Sequence, residues 1–209
     1  MNKPKIILFD VDQVLIRPPH YYSLELEKQG YKNAGEILNS FYLEEDYNNC
    51  SEGKADALEL IAPYLQKIGW EKKVKEYFIE QFEFEEKYLD KSLIADIKKL
   101  KLQNIKCYLA TDQEKNRAKY ILEDTKFKDI FDKHFVSYII GHRKCSDKFW
   151  EYVLKELKKE FANISADEIA FFDDMQNNID TALKFGIKAF LFTDKEQFEK
   201  DIGLLGAEI

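Results

Sequence analysis

The stretch Lys5-Ile6-Ile7-Leu8-Phe9-Asp10-Val11-Asp12-Gln13-Val14-Leu15 decides the fold. Ile6–Phe9 is an uninterrupted apolar run, too short for a helix, that stops dead at an aspartate. Such a run reads as a strand buried on both faces, the pattern of a parallel sheet. Working outward, the same grammar recurs. Lys106–Ala110 runs into Thr111-Asp112, Ile169–Phe172 into Asp173-Asp174, and Ala189–Phe192 into Thr193-Asp194. A weaker strand is expected around His134–Tyr138.

Helical periodicities separate these runs. Phe149, Trp150, Val153, Leu154, Leu157 and Phe161 follow Ser146 as an N-cap. Leu93, Ile94, Ile97 and Leu100 similarly follow Ser92. Ile179, Ala182, Leu183 and Phe185 form another stripe, with Gly186 placed as a C-cap. Strands alternating with helices predict an α/β fold, a doubly wound parallel sheet. One region departs from the alternation. Three faces, Ala34/Ile37/Leu38/Phe41/Tyr42, Ala57/Leu58/Ile61/Ala62/Leu65 and Val74/Tyr77/Phe78/Gln81/Phe82 with Gln81 its polar exception, predict helices only, with Pro63 bending or ending the second. Residues 17–91 are therefore expected to form an all-helical insert, and residues 1–16 plus 92–209 the sheet-bearing core.

Composition narrows the function. The 209 residues carry a net charge of −7 with both signs interspersed, and 45% are hydrophobic. That balance fits a globular protein and argues against a nucleic-acid-binding surface. Cys50, Cys107 and Cys145 are scattered and odd in number, so neither a disulfide framework nor a zinc site is expected. No apolar stretch reaches bilayer length, and Ile6–Phe9 is too short for a signal sequence. The expected location is cytoplasmic, without membrane association; oligomeric state is left open.

In open α/β sheets, ligands bind at the carboxyl ends of the strands. Those ends carry Asp10 and Asp12, Thr111, and Asp173 and Asp174. Hard cations such as Mg²⁺ take carboxylate oxygens together with substrate phosphate. An aspartate beside such an ion can also attack phosphorus, splitting one difficult step into two. Thr111 could donate its hydroxyl to the phosphate, Lys144 could supply positive charge, and Asp12 could move the proton. Taken singly, each feature has a plain structural explanation: a surface DxD, a helix cap, a solvated lysine. The order of strand–DxD, strand–Thr, Lys and strand–Asp-Asp carries the signal.

These motifs resemble the haloacid dehalogenase-like hydrolase superfamily over nearly the whole chain. Asp10-Val11-Asp12-Gln13-Val14-Leu15 is similar to its first motif, which implies Asp10 as nucleophile and Asp12 as general acid/base. Ala110-Thr111-Asp112 is similar to the second, implying phosphate held by the Thr111 hydroxyl and the Asp112 backbone N–H. Gly141-His142-Arg143-Lys144 is similar to the third, with Lys144 on phosphate. Phe172-Asp173-Asp174-Met175-Gln176-Asn177-Asn178 is similar to the fourth. The resemblance implies Mg²⁺ held by the carboxylates of Asp10 and Asp173 and the backbone carbonyl of Asp12, and a helical cap subdomain at residues 17–91, between the first strand and the second motif. Gln13 stands where glycine or asparagine is common, and Cys145 where proline often follows the lysine. Asp12 itself favours phosphate chemistry, since dehalogenating members usually lack it. The resemblance implies a Mg²⁺-dependent phosphatase acting on a small phosphorylated metabolite. The fourth motif is most similar to that of sugar-phosphate phosphatases such as α-glucose-1-phosphate phosphatases. The alternatives are a sugar phosphomutase with the same core chemistry and a non-catalytic binding module.

Overall fold

The computed structural model describes residues 3–125 and 127–209. Its strands are β1 (Ile6–Phe9), β2 (Lys106–Thr111), β3 (Lys133–Val136), β4 (Ile169–Asp173) and β5 (Lys188–Leu191). All pair in parallel, in the order β3-β2-β1-β4-β5. β1 lies at the centre, and its four residues are buried throughout, which is why its sequence is a continuous apolar run rather than an alternating one.

The two-residue period divides β1 between two cores. Ile7 and Phe9 join one cluster, Ile6 and Leu8 the other. The helices fall in chain order as α1 (Tyr22–Lys28), α2 (Ala34–Leu43), α3 (Glu45–Ser51), α4 (Ala57–Lys67), α5 (Val74–Glu86) and α6 (Lys91–Leu102), then α7 (Lys115–Glu123), α8 (Phe127–Ile130), α9 (Ser137–Ile140), α10 (Asp147–Glu160), α11 (Gln176–Lys184) and α12 (Lys195–Leu204). Leu93, Ile97 and Leu100 of α6 and Phe198 and Ile202 of α12 pack on the Ile7/Phe9 side. Phe149, Trp150, Val153 and Leu157 of α10 and Ile179 and Ala182 of α11 pack on the other. Helices cover both faces, so the fold is the doubly wound, Rossmann-like α/β sheet that the strand–helix alternation predicts.

Helices α1–α5 form an insert between β1 and α6 with a core of its own, rich in rings such as Tyr22, Phe41, Trp70, Tyr77, Phe78 and Phe82. The chain enters and leaves it side by side. Asp90 N donates to Leu15 O at 2.8 Å, Arg17 N to Tyr88 O at 3.2 Å, and the Arg17 guanidinium pairs with Asp90 at 2.9 Å.

Several local expectations shift. The cap of α6 is Asp90 rather than Ser92: its carboxylate accepts from Ser92 N (3.1 Å) and Leu93 N (3.0 Å), satisfying two orphan amides near the positive end of the helix. Pro63 does not end α4, which runs on to Lys67; the apolar stripe through Ala57, Ile61 and Leu65 is buried on both sides of it, and that burial outweighs one lost backbone bond. β3 stops at Val136 because Ser137 begins α9. Gly186 follows α11 with φ of 79°, the left-handed turn that glycine takes without strain. All three cysteines are free thiols. No helix among the described residues is long and apolar enough to cross a membrane.

Candidate active site

The parallel register sets Phe9 level with Leu109 and Phe172. The residues just beyond these pairs, Asp10, Thr111 and Asp173, therefore converge at one end of the sheet. Asp10 N donates to Phe172 O at 3.0 Å, which continues the β1–β4 ladder to Asp10. Lys144 arrives from the loop between α9 and α10. Its backbone is pinned on both sides: its N donates to Asp112 Oδ1 at 2.9 Å, and its O accepts from Trp150 Nε1 at 2.7 Å. The ammonium is buried and lies 2.6 Å from both Asp10 Oδ1 and Asp173 Oδ2.

Asp173 is held from below. Its Oδ1 accepts from Met175 N at 2.8 Å and from Asn178 Nδ2 at 3.0 Å. Asn178 is thus the orienting partner of the carboxylate, one turn into α11. Carboxylate oxygens of Asp10, Asp173 and Asp174 all lie within 4.8 Å of one another. Asp10 Oδ1 is buried and has no aligned hydrogen-bond donor, although the Lys144 charge is close to it. Three carboxylates thus face one ammonium, a surplus of negative charge that a divalent cation would balance.

The electrostatics follow. Burial pushes the Asp10 carboxyl well above the usual carboxylate range, an effect opposed by Lys144 and reinforced by Asp173. Burial also lifts Asp174, to about 6, with Asp173 adding to the shift. Desolvation would strip the proton from Lys144, but Asp10, Asp173 and Asp112 override it, so the lysine stays charged. Asp10, Asp173 and Asp174 fit a cation on this ground. The Asp12 side chain is not among them.

Asp12 turns its carboxylate to the other side. Oδ1 accepts from Arg117 Nη2 at 2.8 Å and Oδ2 from Gln113 Nε2 at 2.7 Å. The same Gln113 Nε2 donates to Thr111 Oγ1 at 3.0 Å, so one amide ties the Asp12 carboxylate to the Thr111 hydroxyl. The other end of Arg117 pairs with Glu85 of α5 in the insert. The Asp112 side chain serves the Lys144 loop, through Lys144 N and, at 3.5 Å, Arg143 Nε.

Gln113, Arg117 and Glu85 were not singled out by sequence reasoning, and Asn178 entered only as the asparagine that ends the fourth-motif resemblance. Gln113 follows directly on Thr111-Asp112, and Arg117 lies in the first turn of the next helix; a strand-to-helix junction at a site aims such residues back at it. Glu85 offers no comparable signal, because its pairing with Arg117 spans two separately packed units.

A profile of haloacid dehalogenase-like hydrolases matches residues 4–186. The fold is similar to that of the HAD family enzyme BT-2542 from Bacteroides thetaiotaomicron: TM-score 0.73, 19% identity, 95% of this chain and 98% of that one. BT-2542 has also been crystallised in complex with magnesium and inorganic phosphate. A HAD-like family hydrolase from Porphyromonas gingivalis superposes with a TM-score of 0.70 at 18% identity, covering 99% of this chain and 100% of that one. These likenesses concern the fold. Drimenol cyclase drtB of Aspergillus calidoustus is 30% identical over 73 residues, which is 35% of this chain and 13% of that protein. With the profile spanning most of the sequence and its sheet, insert and aspartate-bearing strand ends in place, the chain belongs to the haloacid dehalogenase-like hydrolases.

Proposed function

We propose that the protein is a Mg²⁺-dependent phosphatase that releases phosphate from a small phosphomonoester through an aspartyl-phosphate on Asp10. The observation that carries this reading is the meeting of Asp10, Lys144, Asp173 and Asp174 at the strand ends, with Asp12 and Thr111 beside them. The magnesium-and-phosphate complex of BT-2542 is consistent with it.

Asp10 supplies the oxygen that attacks phosphorus, and the bond from phosphorus to the leaving oxygen breaks as the new one forms. Asp12 gives that oxygen a proton. It then takes a proton from the water that attacks the phosphoryl group, which frees phosphate and regenerates Asp10. Lys144, the Thr111 hydroxyl and the Asp112 backbone N–H hold the phosphoryl oxygens as charge redistributes. The Asp10 and Asp173 carboxylates, with Asp174 beside them and the Asp12 backbone carbonyl, would hold Mg²⁺. When bound there, the ion would neutralise phosphoryl charge and offset the crowding of these carboxylates. Residues 17–91 act as a cap that sets selectivity.

The test is phosphate release with and without Mg²⁺, for the parent and for Asp10→Asn, which keeps the shape but lacks the nucleophile. Release should fall by about 10³-fold or more in a variant that still melts cooperatively. Near-parental release by the folded variant would sink the mechanism. Following the fate of the phosphoryl group separates hydrolysis from transfer to a second hydroxyl, the phosphomutase outcome.

A further inference from the structure

Asp12 accepts two hydrogen bonds, yet 49% of its side chain remains exposed. A carboxylate offers about four lone-pair sites. Arg117 takes one on Oδ1 and Gln113 one on Oδ2, so each oxygen keeps a site for a proton or a ligand. The group is fixed in direction without being used up. A carboxylate held in this way can give and take a proton at one place.

Arg117 binds only the Asp12 side of this arrangement, and its other end is committed to Glu85. Gln113 joins both sides. Its Nε2 carries two hydrogens and spends both: one on Asp12 Oδ2 at 2.7 Å, the other on Thr111 Oγ1 at 3.0 Å. The reverse placement of the amide would set its oxygen against the Asp12 carboxylate, so the network assigns the nitrogen to that side. Because Thr111 Oγ1 accepts this bond, its own hydrogen is left free to donate to a ligand. One amide thus sets the direction of a carboxylate and the polarity of a hydroxyl.

Gln113 is seated in turn. Its backbone N donates to the Ser137 hydroxyl at 3.0 Å, and that hydroxyl donates to Ser51 O of α3 at 2.6 Å. Thr111, Gln113 and Ser137 are all buried, so a bond lost here leaves a partner unpaired rather than hydrated.

We propose that Gln113 is a positioning residue of the site: it aligns Asp12 with the leaving oxygen and turns the Thr111 hydrogen to the phosphoryl group. This role rests on the phosphatase reading for what Asp12 and Thr111 do.

The experiment uses the full chain with Mg²⁺ and two aryl esters of similar size, phenyl phosphate and 4-nitrophenyl phosphate. Nitrophenolate leaves without a proton, and the more basic phenolate gains from receiving one. Gln113→Met keeps a side chain of similar length and removes the donors. In this variant kcat/KM should fall about tenfold for 4-nitrophenyl phosphate, through Thr111, and about a further tenfold for phenyl phosphate, through Asp12. The extra loss on phenyl phosphate should vanish when Gln113→Met is combined with Asp12→Asn, because no carboxylate is left to align. Should Gln113→Met fail to melt cooperatively, Gln113→Asn takes its place with the same expectation, since its amide falls one methylene short of both partners. Equal falls for the two esters, no fall at all, or an extra loss that persists with Asp12→Asn overturns the positioning role and leaves the phosphatase reading standing. If the parent turns over neither ester, calorimetry with Mg²⁺ and inorganic phosphate decides. Binding several-fold weaker in the Gln113 variant supports the alignment of Thr111 while refuting the phosphatase reading, and equal or absent binding refutes both.

Discussion

Lys144 and Arg117 are both buried cations held between two carboxylates, yet they sit in regions built to opposite ends. Lys144 lies in the crevice, where Asp10 and Asp173 come from adjacent strands of one sheet. Arg117 lies at a cavity of about 240 Å³ lined by Tyr42, Tyr47, Phe78 and Phe82, where Asp12 comes from the core and Glu85 from the insert. In the crevice, negative charge exceeds positive and Asp10 Oδ1 lacks an aligned donor. At the cavity, the guanidinium fork is shared between Asp12 and Glu85, and the Gln113 amide is shared between Asp12 and Thr111. A region with unspent electrostatic capacity can take up a metal and a phosphate. A guanidinium whose fork is filled by carboxylates from two units holds those units together instead. The difference teaches that a pinned lysine can remain a binding group while a pinned arginine becomes a structural tie.

The sharpest break in this comparison comes from deleting each cation. Lys144→Ala should cost about 3–4 kcal/mol of transition-state stabilisation, roughly 10²–10³-fold in kcat/KM. Lys148→Ala, on the exposed first turn of α10, should be nearly silent; steady-state kinetics of the pair decides between them. Arg117→Ala should act first on folding. It leaves Glu85 buried without its cation, and loss of about 3 kcal/mol in denaturant unfolding is expected. Burial already holds the Glu85 carboxyl above its usual range, against the lowering effect of Arg117, so without the arginine it should protonate more readily still. An Arg117→Ala protein as stable as the parent would show that the tie between core and insert lies elsewhere.

Much of the crevice was legible because its determinants are local. A buried central strand must be a continuous apolar run, and the aspartate that ends it must stand at a strand end, so Asp10 and Asp173 could be placed before any coordinates. The cavity was not legible, because the apolar spacing of Tyr42, Phe78 and Phe82 reads the same whether the ring faces a core or a ligand. The direction of the Asp12 side chain was hidden too, since it is set by Arg117 and Gln113 from another part of the chain. At a finer scale, Ser92 and Asp90 were equally good caps by residue type, and only the true start of α6 chose between them.

The surplus charge of the crevice gives the next prediction. A ligand that binds only the folded state stabilises it by about 2.7 kcal/mol at a hundred times its Kd. Mg²⁺ should raise the melting temperature beyond a monovalent salt control of matched ionic strength. Asp173→Asn should be at least as stable as the parent without Mg²⁺ and gain far less from its addition. An equal gain in both proteins would remove Asp173 from the metal site.

The smallest effect concerns the turn that follows Asp12. Gln13 adopts φ of 57°, the left-handed region, directly after Asp12. That conformation explains why glycine or asparagine suits the position. Gln13→Gly should relieve about 0.5–1 kcal/mol of strain, partly offset by the greater freedom of the unfolded chain. Denaturant melts should show a neutral to slightly more stable protein, and a clear loss of stability would mean that the Gln13 side chain contributes contacts outweighing its backbone.

The central claim is that Asp10 becomes phosphorylated. Asp12→Asn should slow the second step, in which water must be deprotonated, more than a first step whose leaving group needs no proton. With 4-nitrophenyl phosphate labelled in its phosphoryl group, this variant should release a burst of nitrophenol. Acid quenching should then trap label on the peptide that carries Asp10, in a form discharged by hydroxylamine and absent when Asp10 is also replaced by Asn. Turnover without label, or label on any other residue, would contradict Asp10 as the nucleophile.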